Sequence, residues 1–258
     1  MIPFVLFSLW LLPGHTWSAN WNDGHNRTLN LFDTDPYEKP TAVQMNGVGS
    51  SYINGNGTMS LSGNAPRYRV LENFHNVNVT VYMKRVSEEA QIDSAGIVIG
   101  ARSHHYTDAT CGANTLYGQL TYDGRVTFEK ELFHATGDDA FFPDVKDNNA
   151  QIFAFPHGVP FNKWIGLSFI VKSNPDNSTL MQLYLDKTDS GQWQKVLEFT
   201  DNGNWNVDTG MSNKKLERKC EGFYPTDKII NEPGFVFLRN DGLGRADYRN
   251  FTITELKN

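Results

Sequence analysis

Apolar and polar residues alternate with a period of two through most of this chain, and almost nowhere with the period of a helix. Val77 to Val86 reads VNVTVYMKRV, and Ala95 to Arg102 reads AGIVIGAR. Thr115 to Tyr122 and Arg125 to His134 flank Asp123-Gly124. Trp164 to Lys172 (WIGLSFIVK), Thr179 to Asp186 (TLMQLYLD), Gln194 to Phe199, Gly234 to Arg239 and Tyr248 to Leu256 complete the set. Residues 20 to 66 are rich in Asn, Gly, Asp, Ser and Thr and predict loops with short strands. Strands separated by turn residues, with no helices between them, predict an all-β, two-sheet antiparallel sandwich or barrel.

The Asp123-Gly124 hairpin can be followed residue by residue. A two-residue type I′ turn pairs Tyr122 with Arg125. Counted back from there, one face carries Tyr117, Gln119, Thr121, Val126, Phe128, Lys130, Leu132 and His134. The other carries Leu116, Gly118, Leu120, Tyr122, Arg125, Thr127, Glu129, Glu131 and Phe133. Both faces come out mixed, which fits a wet groove or a sheet edge better than a plain core strand. Ile97 and Ile99 suit a core, while Gly96, Val98, Gly100 and Arg102 point the other way, and two glycines there leave room above a sheet. Ile165, Leu167, Phe169 and Val171 suit the core in the next strand, opposed by Gly166, Ser168 and Lys172. Gln182, Tyr184 and Asp186 oppose Met181, Leu183 and Leu185. The composite is a sheet with an apolar back and a front of Gly, Ser, Arg, Lys, Gln, Tyr and Asp.

At 258 residues and 39% hydrophobic content, the chain suffices for one large sandwich. The formal net charge is −6 and no basic run is present, which excludes the electrostatic signature of a nucleic-acid or anionic-membrane binder. Phe4 to Leu12 is an apolar run too short to span a bilayer, and no second one follows. With Pro13-Gly14 after it and small residues at Thr16 and Ser18, it reads as a secretory leader over residues 1–18. The mature domain is then residues 19–258, and a buried N-terminal strand is the competing reading. Sequons at Asn26, Asn56, Asn78, Asn177 and Asn250 agree with a secreted, extracellular glycoprotein that lacks a transmembrane segment. In an oxidising compartment Cys111 and Cys220 read as one long-range disulfide.

The runs Trp164–Lys172 and Leu183-Tyr184-Leu185-Asp186, followed by Gly234–Gly242 (GFVFLRNDG) and Asp247–Leu256 (DYRNFTITEL), resemble the central and closing strands of the concanavalin A-like, laminin-G-like jelly rolls. That resemblance implies a concanavalin-like jelly roll. It is specific for fold and spans lectins, laminarinase-type glycosidases, polysaccharide lyases and adhesive domains, so activity has to be read from residues. It also implies a structural Ca²⁺ held by oxygens of the N-terminal segment and by the Asp that opens the last strand, here Asp247; residue type alone offers Asp33 and Asp35 in that segment as its partners.

Three functions are compatible with the residues. A lectin-like module needs aromatic platforms, amides and carboxylates for sugar hydroxyls, supplied by Tyr117, Gln119, Lys130, Tyr184 and Asp186. A lyase that cleaves a uronic-acid polysaccharide needs a carboxylate-neutralising group and a base, for which Arg102, Tyr117, Gln119 and His134 are the residue types. A structural matrix glycoprotein needs neither. Glu129 and Glu131 match only part of the acidic pattern of a laminarinase-type strand. The leading expectation is binding of an extracellular polysaccharide or glycan, with no cofactor beyond calcium.

Overall fold

A computed structural model of the chain describes residues 13–88, 95–105, 114–131, 140–143, 151–203, 205–206 and 229–257. Every regular element among them is a strand, and the strands form two nine-stranded antiparallel sheets. Sheet A contains β1 (Pro13–Ser18), β2 (Arg27–Leu29), β4 (Ser50–Ile53), β5 (Met59–Gly63), β7 (Val77–Ser87), β13 (Trp164–Ser173), β14 (Thr179–Asp186), β15 (Gln194–Asp201) and β18 (Leu243–Leu256). Its order is β15-β14-β13-β7-β18-β5-β4-β2, with β1 added beside β18. Sheet B contains β3 (Val43–Asn46), β6 (Arg67–Phe74), β8 (Gly96–Ser103), β9 (Thr115–Thr121), β10 (Arg125–Glu131), β11 (Ala140–Pro143), β12 (Gln151–Phe153), β16 (Trp205–Asn206) and β17 (Gly234–Asp241). Its order is β16-β11-β10-β9-β8-β17-β6-β3, with β12 beside β10. This is the all-β, two-sheet antiparallel sandwich that the alternation predicts and the jelly roll that the resemblance implies.

The apolar members of the alternating runs meet between the sheets. Val77, Val79, Val81 and Met83 of β7 and Ile165, Leu167, Phe169 and Val171 of β13 belong to one core cluster. Ile97, Ile99, Leu116, Leu120, Val126, Phe128, Val236 and Leu238 of sheet B belong to the same cluster. Burying each such side chain is worth roughly 1.5–3 kcal/mol, so this layer dominates the driving force for folding. The sheets are in close contact: a Cβ added at Gly118 of β9 would lie 2.8 Å from both Leu183 and Phe169 of sheet A.

Pro13–Ser18, assigned by the sequence to the leader, is strand β1. It pairs with β18 (Trp17 opposite Ile253, Ser18 opposite Thr252), and Trp17 packs edge-on against Phe251 at 5.3 Å. Ala19 continues the attachment, its N–H donating to the Phe251 carbonyl at 2.9 Å. Cys111, Cys220 and His134 lie outside the described residues.

Two expectations about faces are corrected. The strands read as one composite front belong to different sheets: β8, β9 and β10 lie in sheet B, and β13 and β14 in sheet A. The hairpin register also differs by one residue. Val126 pairs with Leu120, Thr127 with Gln119, Glu129 with Tyr117 and Glu131 with Thr115. The loop therefore has three residues, Tyr122-Asp123-Gly124, closed by the Gly124 N–H donating to the Thr121 carbonyl at 2.9 Å. Gly124 has φ of 96°, the left-handed position that such a loop reserves for glycine. A one-residue slip moves every side chain of one strand to the other face. Two mixed faces thereby become two clean ones.

Candidate functional site

With the observed register, Leu116, Leu120, Val126 and Phe128 turn inward to the core, and Tyr117, Gln119, Thr127, Glu129 and Glu131 share the outward face of sheet B. The neighbouring strands continue this face. β17 reads Phe-Val-Phe-Leu-Arg-Asn-Asp from Phe235, so Val236 and Leu238 enter the core while Phe235, Phe237, Arg239 and Asp241 face outward. In β6 Tyr68 and Val70 are core residues, and Arg67 and Arg69 stand on the other side. Val98, Tyr117, Phe235 and Phe237 form a second buried apolar cluster, separate from the main core. The outward face of sheet B is therefore a small apolar floor set among charged groups.

These groups are tied to one another. The Tyr117 hydroxyl donates to Glu131, and the Gln119 amide donates to Glu129. His105 Nε2 lies 3.7 Å from the other Glu131 oxygen. Arg239 pairs with Asp241 at 2.5 Å and lies over the Tyr117 ring, 5.0 Å from its centroid. Arg69 lies 5.5 Å over the Phe235 ring and donates to Gln44 of β3. Arg67 Nε is buried and has no hydrogen-bond partner among the described residues.

Burial sets the electrostatics. It pushes the Glu129 carboxyl up to about 7, aided by Glu131 and opposed by Arg239, so this group changes charge near neutrality. Burial, reinforced by Glu131, holds the Tyr117 phenol well above its ordinary value and keeps it a neutral donor. Burial and the neighbouring Arg239 lower the Arg67 guanidinium. Burial also works against Arg239, but Asp241, Tyr117 and Glu129 outweigh it and raise its pKa.

Of the described residues singled out from sequence, Tyr117 and Gln119 come together on this face beside Glu129 and Glu131, and Lys130, Arg102, Tyr184 and Asp186 do not. Lys130 points the opposite way, fully buried between the sheets, with Nζ 3.1 Å from Asp201 of β15. It is an intersheet ion pair, because the register places it on the core side. Arg102 is also fully buried and leaves the front face. Between the pairs Gly100–Phe237 and Ser103–Phe235, β8 has one residue more than β17, and Arg102 sits in that bulge with φ of 50°. The bulge interrupts the alternation. The guanidinium instead donates to the carbonyls of His75 and Ile230, at 2.9 and 2.7 Å, and to Asn76 and Ser173, at 3.0 and 2.9 Å. Thr179 and Asn231 accept at 3.2 Å each. Burial lowers its pKa to about 10, with Glu232 opposing. Arg102 thus ties both sheets together at one end of the sandwich.

Tyr184 and Asp186 lie in sheet A. Tyr184 is half-buried on the outward side, donating to Gln182 at 3.3 Å. Asp186 organises the turn after β14, accepting the Tyr82 hydroxyl at 2.8 Å and the N–H groups of Ser190 and Gly191 at 3.1 and 2.6 Å. Burial opposes its charge, yet the Ser190, Tyr82, Gly191 and Thr188 donors hold its pKa down at about 2. The room expected above the glycines is taken: a Cβ at Gly100 would lie 2.3 Å from the Phe237 ring, and one at Gly96 would lie 2.5 Å from the Leu120 carbonyl.

The surroundings of Asp247 do not fit a calcium ion. Lys84 and Arg245 approach it at 2.9 and 2.8 Å, and the Ser60 hydroxyl donates at 2.8 Å. Two cations already neutralise the single acid, whereas Ca²⁺ requires an excess of anionic oxygens. Asp35 is engaged elsewhere, paired with Arg27 at 2.7 Å, and Asp33 accepts the Asn30 N–H at 2.7 Å. Among the described residues no cluster of three or more His, Cys, Asp or Glu is placed to hold a metal.

Sequence reasoning missed Arg67, Arg69, Arg239, Phe235 and Phe237 as members of this face. The signal was present in RYR and FVFLRND, where alternate positions are apolar core residues and the intervening ones are aromatic or charged.

No protein-family pattern and no curated protein matches the chain. Among solved structures it is similar to the exoplasmic/lumenal domain of VIP36 in its Ca²⁺/Man3GlcNAc-bound form, with 10% identity, 94% of this chain and 91% of that chain covered, and a TM-score of 0.48. It is similar to the alginate lyase Aly36B at 11% identity, with 94% and 98% of the two chains covered and a TM-score of 0.43. A Bacillus licheniformis β-glucanase gives 12% identity, 95% and 99% coverage and a TM-score of 0.47. Identity at this level carries no site residue across.

Proposed function

We propose that this protein is a secreted, lectin-like module that binds a carbohydrate on the outward face of sheet B. The observation that carries this reading is the chemistry of that face. Tyr117, Gln119, Glu129, Glu131 and three arginines surround a floor of Phe235 and Phe237, and Arg67 Nε is a buried donor without a partner among the described residues. Sugars present both apolar C–H faces and hydroxyl acceptors, and such a floor with convergent polar groups suits both. The test is a glycan array followed by calorimetry on the best ligand. Gln119→Ala and Arg67→Gln are expected to weaken binding tenfold or more, and Tyr184→Ala on sheet A to leave it unchanged. Equal losses from both sheets would place the ligand elsewhere.

A second reading has its own support. Arg67, Arg69 and Arg239 occupy the same face as Tyr117, and His105 stands beside Glu131. This is the juxtaposition a lyase of a uronic-acid polysaccharide requires: guanidinium to neutralise the carboxylate, and groups able to move the adjacent proton. Rising ultraviolet absorbance from unsaturated ends, lost in Tyr117→Phe, would promote this reading over simple binding.

A further inference from the structure

The five sequons are scattered along the sequence, but the fold gathers them on one side. Asn26 immediately precedes β2, Asn56 lies in the β4–β5 turn, Asn78 is on β7, Asn177 is in the β13–β14 turn and Asn250 is on β18. All of these elements belong to sheet A, and no strand of sheet B contains a sequon. Asn26, Asn56, Asn177 and Asn250 are exposed, and Asn78 is half-buried. Asn177 and Asn250 have φ of 68° and 54°, one at a turn and one at the β18 bulge between the Arg249–Tyr82 and Thr252–Thr80 pairs.

The atoms in use also agree with modification. Attachment of a glycan consumes one N–H of the side-chain amide and leaves the carbonyl Oδ1 as an acceptor. At Asn78 the engaged atom is Oδ1, which accepts the Ser168 hydroxyl at 2.7 Å. At Asn177 it is again Oδ1, accepting from Asn231 at 2.8 Å. Both hydrogen bonds survive glycosylation.

We propose that this protein is a one-sided glycoprotein: N-glycans on these asparagines clothe sheet A and leave the outward face of sheet B bare. The donor is an oligosaccharide linked through a diphosphate to a polyisoprenol. The amide nitrogen forms a bond to the anomeric carbon, the anomeric C–O bond to the diphosphate breaks, the nitrogen loses one proton, and the lipid diphosphate leaves. The proposal stands apart from the sugar-binding reading, since it concerns which faces are covered and not what the bare face binds.

The test is to secrete the full chain from an N-glycosylating host. Glycan release in heavy-oxygen water, followed by peptide mass spectrometry, then reports occupancy at each asparagine. Asn26, Asn56, Asn177 and Asn250 are expected to be occupied. Hydroxyl-radical footprinting before and after release then maps what the glycans cover. Labelling of Tyr52 on β4 and of Trp193, which packs on Tyr82 of sheet A, is expected to rise at least twofold, while exposed Leu71 on β6 and Phe153 on β12 stay unchanged. Empty sites at those four asparagines, or an equal rise on sheet B, would overturn the proposal. A Leu71→Asn, Asn73→Thr variant supplies the control, because its new sequon puts a glycan on β6, and glycan release from it should now raise labelling on sheet B.

Discussion

The outward faces of the two sheets are written in the same alternating code and do opposite things with it. On sheet A, Lys195 and Glu198 form a half-exposed pair at 2.6 Å, and Gln182 donates to the same carboxylate. On sheet B, Tyr117, Gln119, Glu129 and Glu131 are buried and locked to one another above an apolar floor. The first is a solvated surface whose pair holds both partners charged: the Glu198 hydrogen bond raises the Lys195 ammonium, and hydrogen bonds from Lys195 and Gln182 lower the Glu198 carboxyl. The second holds a carboxyl at about 7 and an arginine donor without a partner among the described residues. Polar residues at alternate positions therefore mark a non-core face, and burial of that face is what turns it into a candidate site.

The comparison can be broken most severely at the groups that left the front face. Arg102→Ala removes the buried guanidinium that joins both sheets, and Asp201→Ala breaks the buried ion pair that Lys130 makes between the sheets. Each is expected to cost about 3–5 kcal/mol, because a broken buried ion pair or an emptied hydrogen-bond hub is among the few large single-residue effects. Urea denaturation reads this directly, and wild-type stability for either variant would return that residue to the surface.

Glu129→Gln tests the buried carboxyl. A folded-state pKa of about 7 against an ordinary 4.5 favours the neutral acid, so its contribution is complete below pH 4.5 and is lost as pH rises through about 7. That difference is worth about 3 kcal/mol, which the glutamine variant should retain on the alkaline side. Glu38, buried beside Asn20 and Tyr68 and also raised to about 7, adds a slope of the same sign that Glu129→Gln leaves intact. Midpoints at pH 4.5 and 8 for both proteins decide it, and identical slopes would sink the assignment.

Gly124→Ala probes the register. Its Cβ would lie 1.9 Å from the Phe155 carbonyl at a left-handed φ, and a loss of about 1–3 kcal/mol is expected in thermal or chemical melts. At the small end, Lys195→Ala on sheet A should change stability by about 0.5 kcal/mol or less, as exposed pairs do. A larger loss there would erase the contrast between the faces.

Much of the fold was legible in the sequence. The two-residue period of VNVTVYMKRV and WIGLSFIVK defines strands, and the parity of their apolar members correctly picks the core residues, because burial on one side of a pleated strand depends only on that period. The sequence also marked Tyr117 and Gln119, and showed through Asp123-Gly124 that a hairpin closes there. Which residues share a face with them was not legible. A three-residue loop replaced the two-residue one, which carried Glu129 and Glu131 to Tyr117 and turned Lys130 inward. A bulge at Arg102 reversed one side chain, and the division of strands between sheets separated Tyr184 and Asp186 from the rest. Alternation is local and is fixed by the chain itself. Register, bulges and sheet membership depend on contacts between distant strands, such as β17 of sheet B against β8 and β6, and only the tertiary structure decides them.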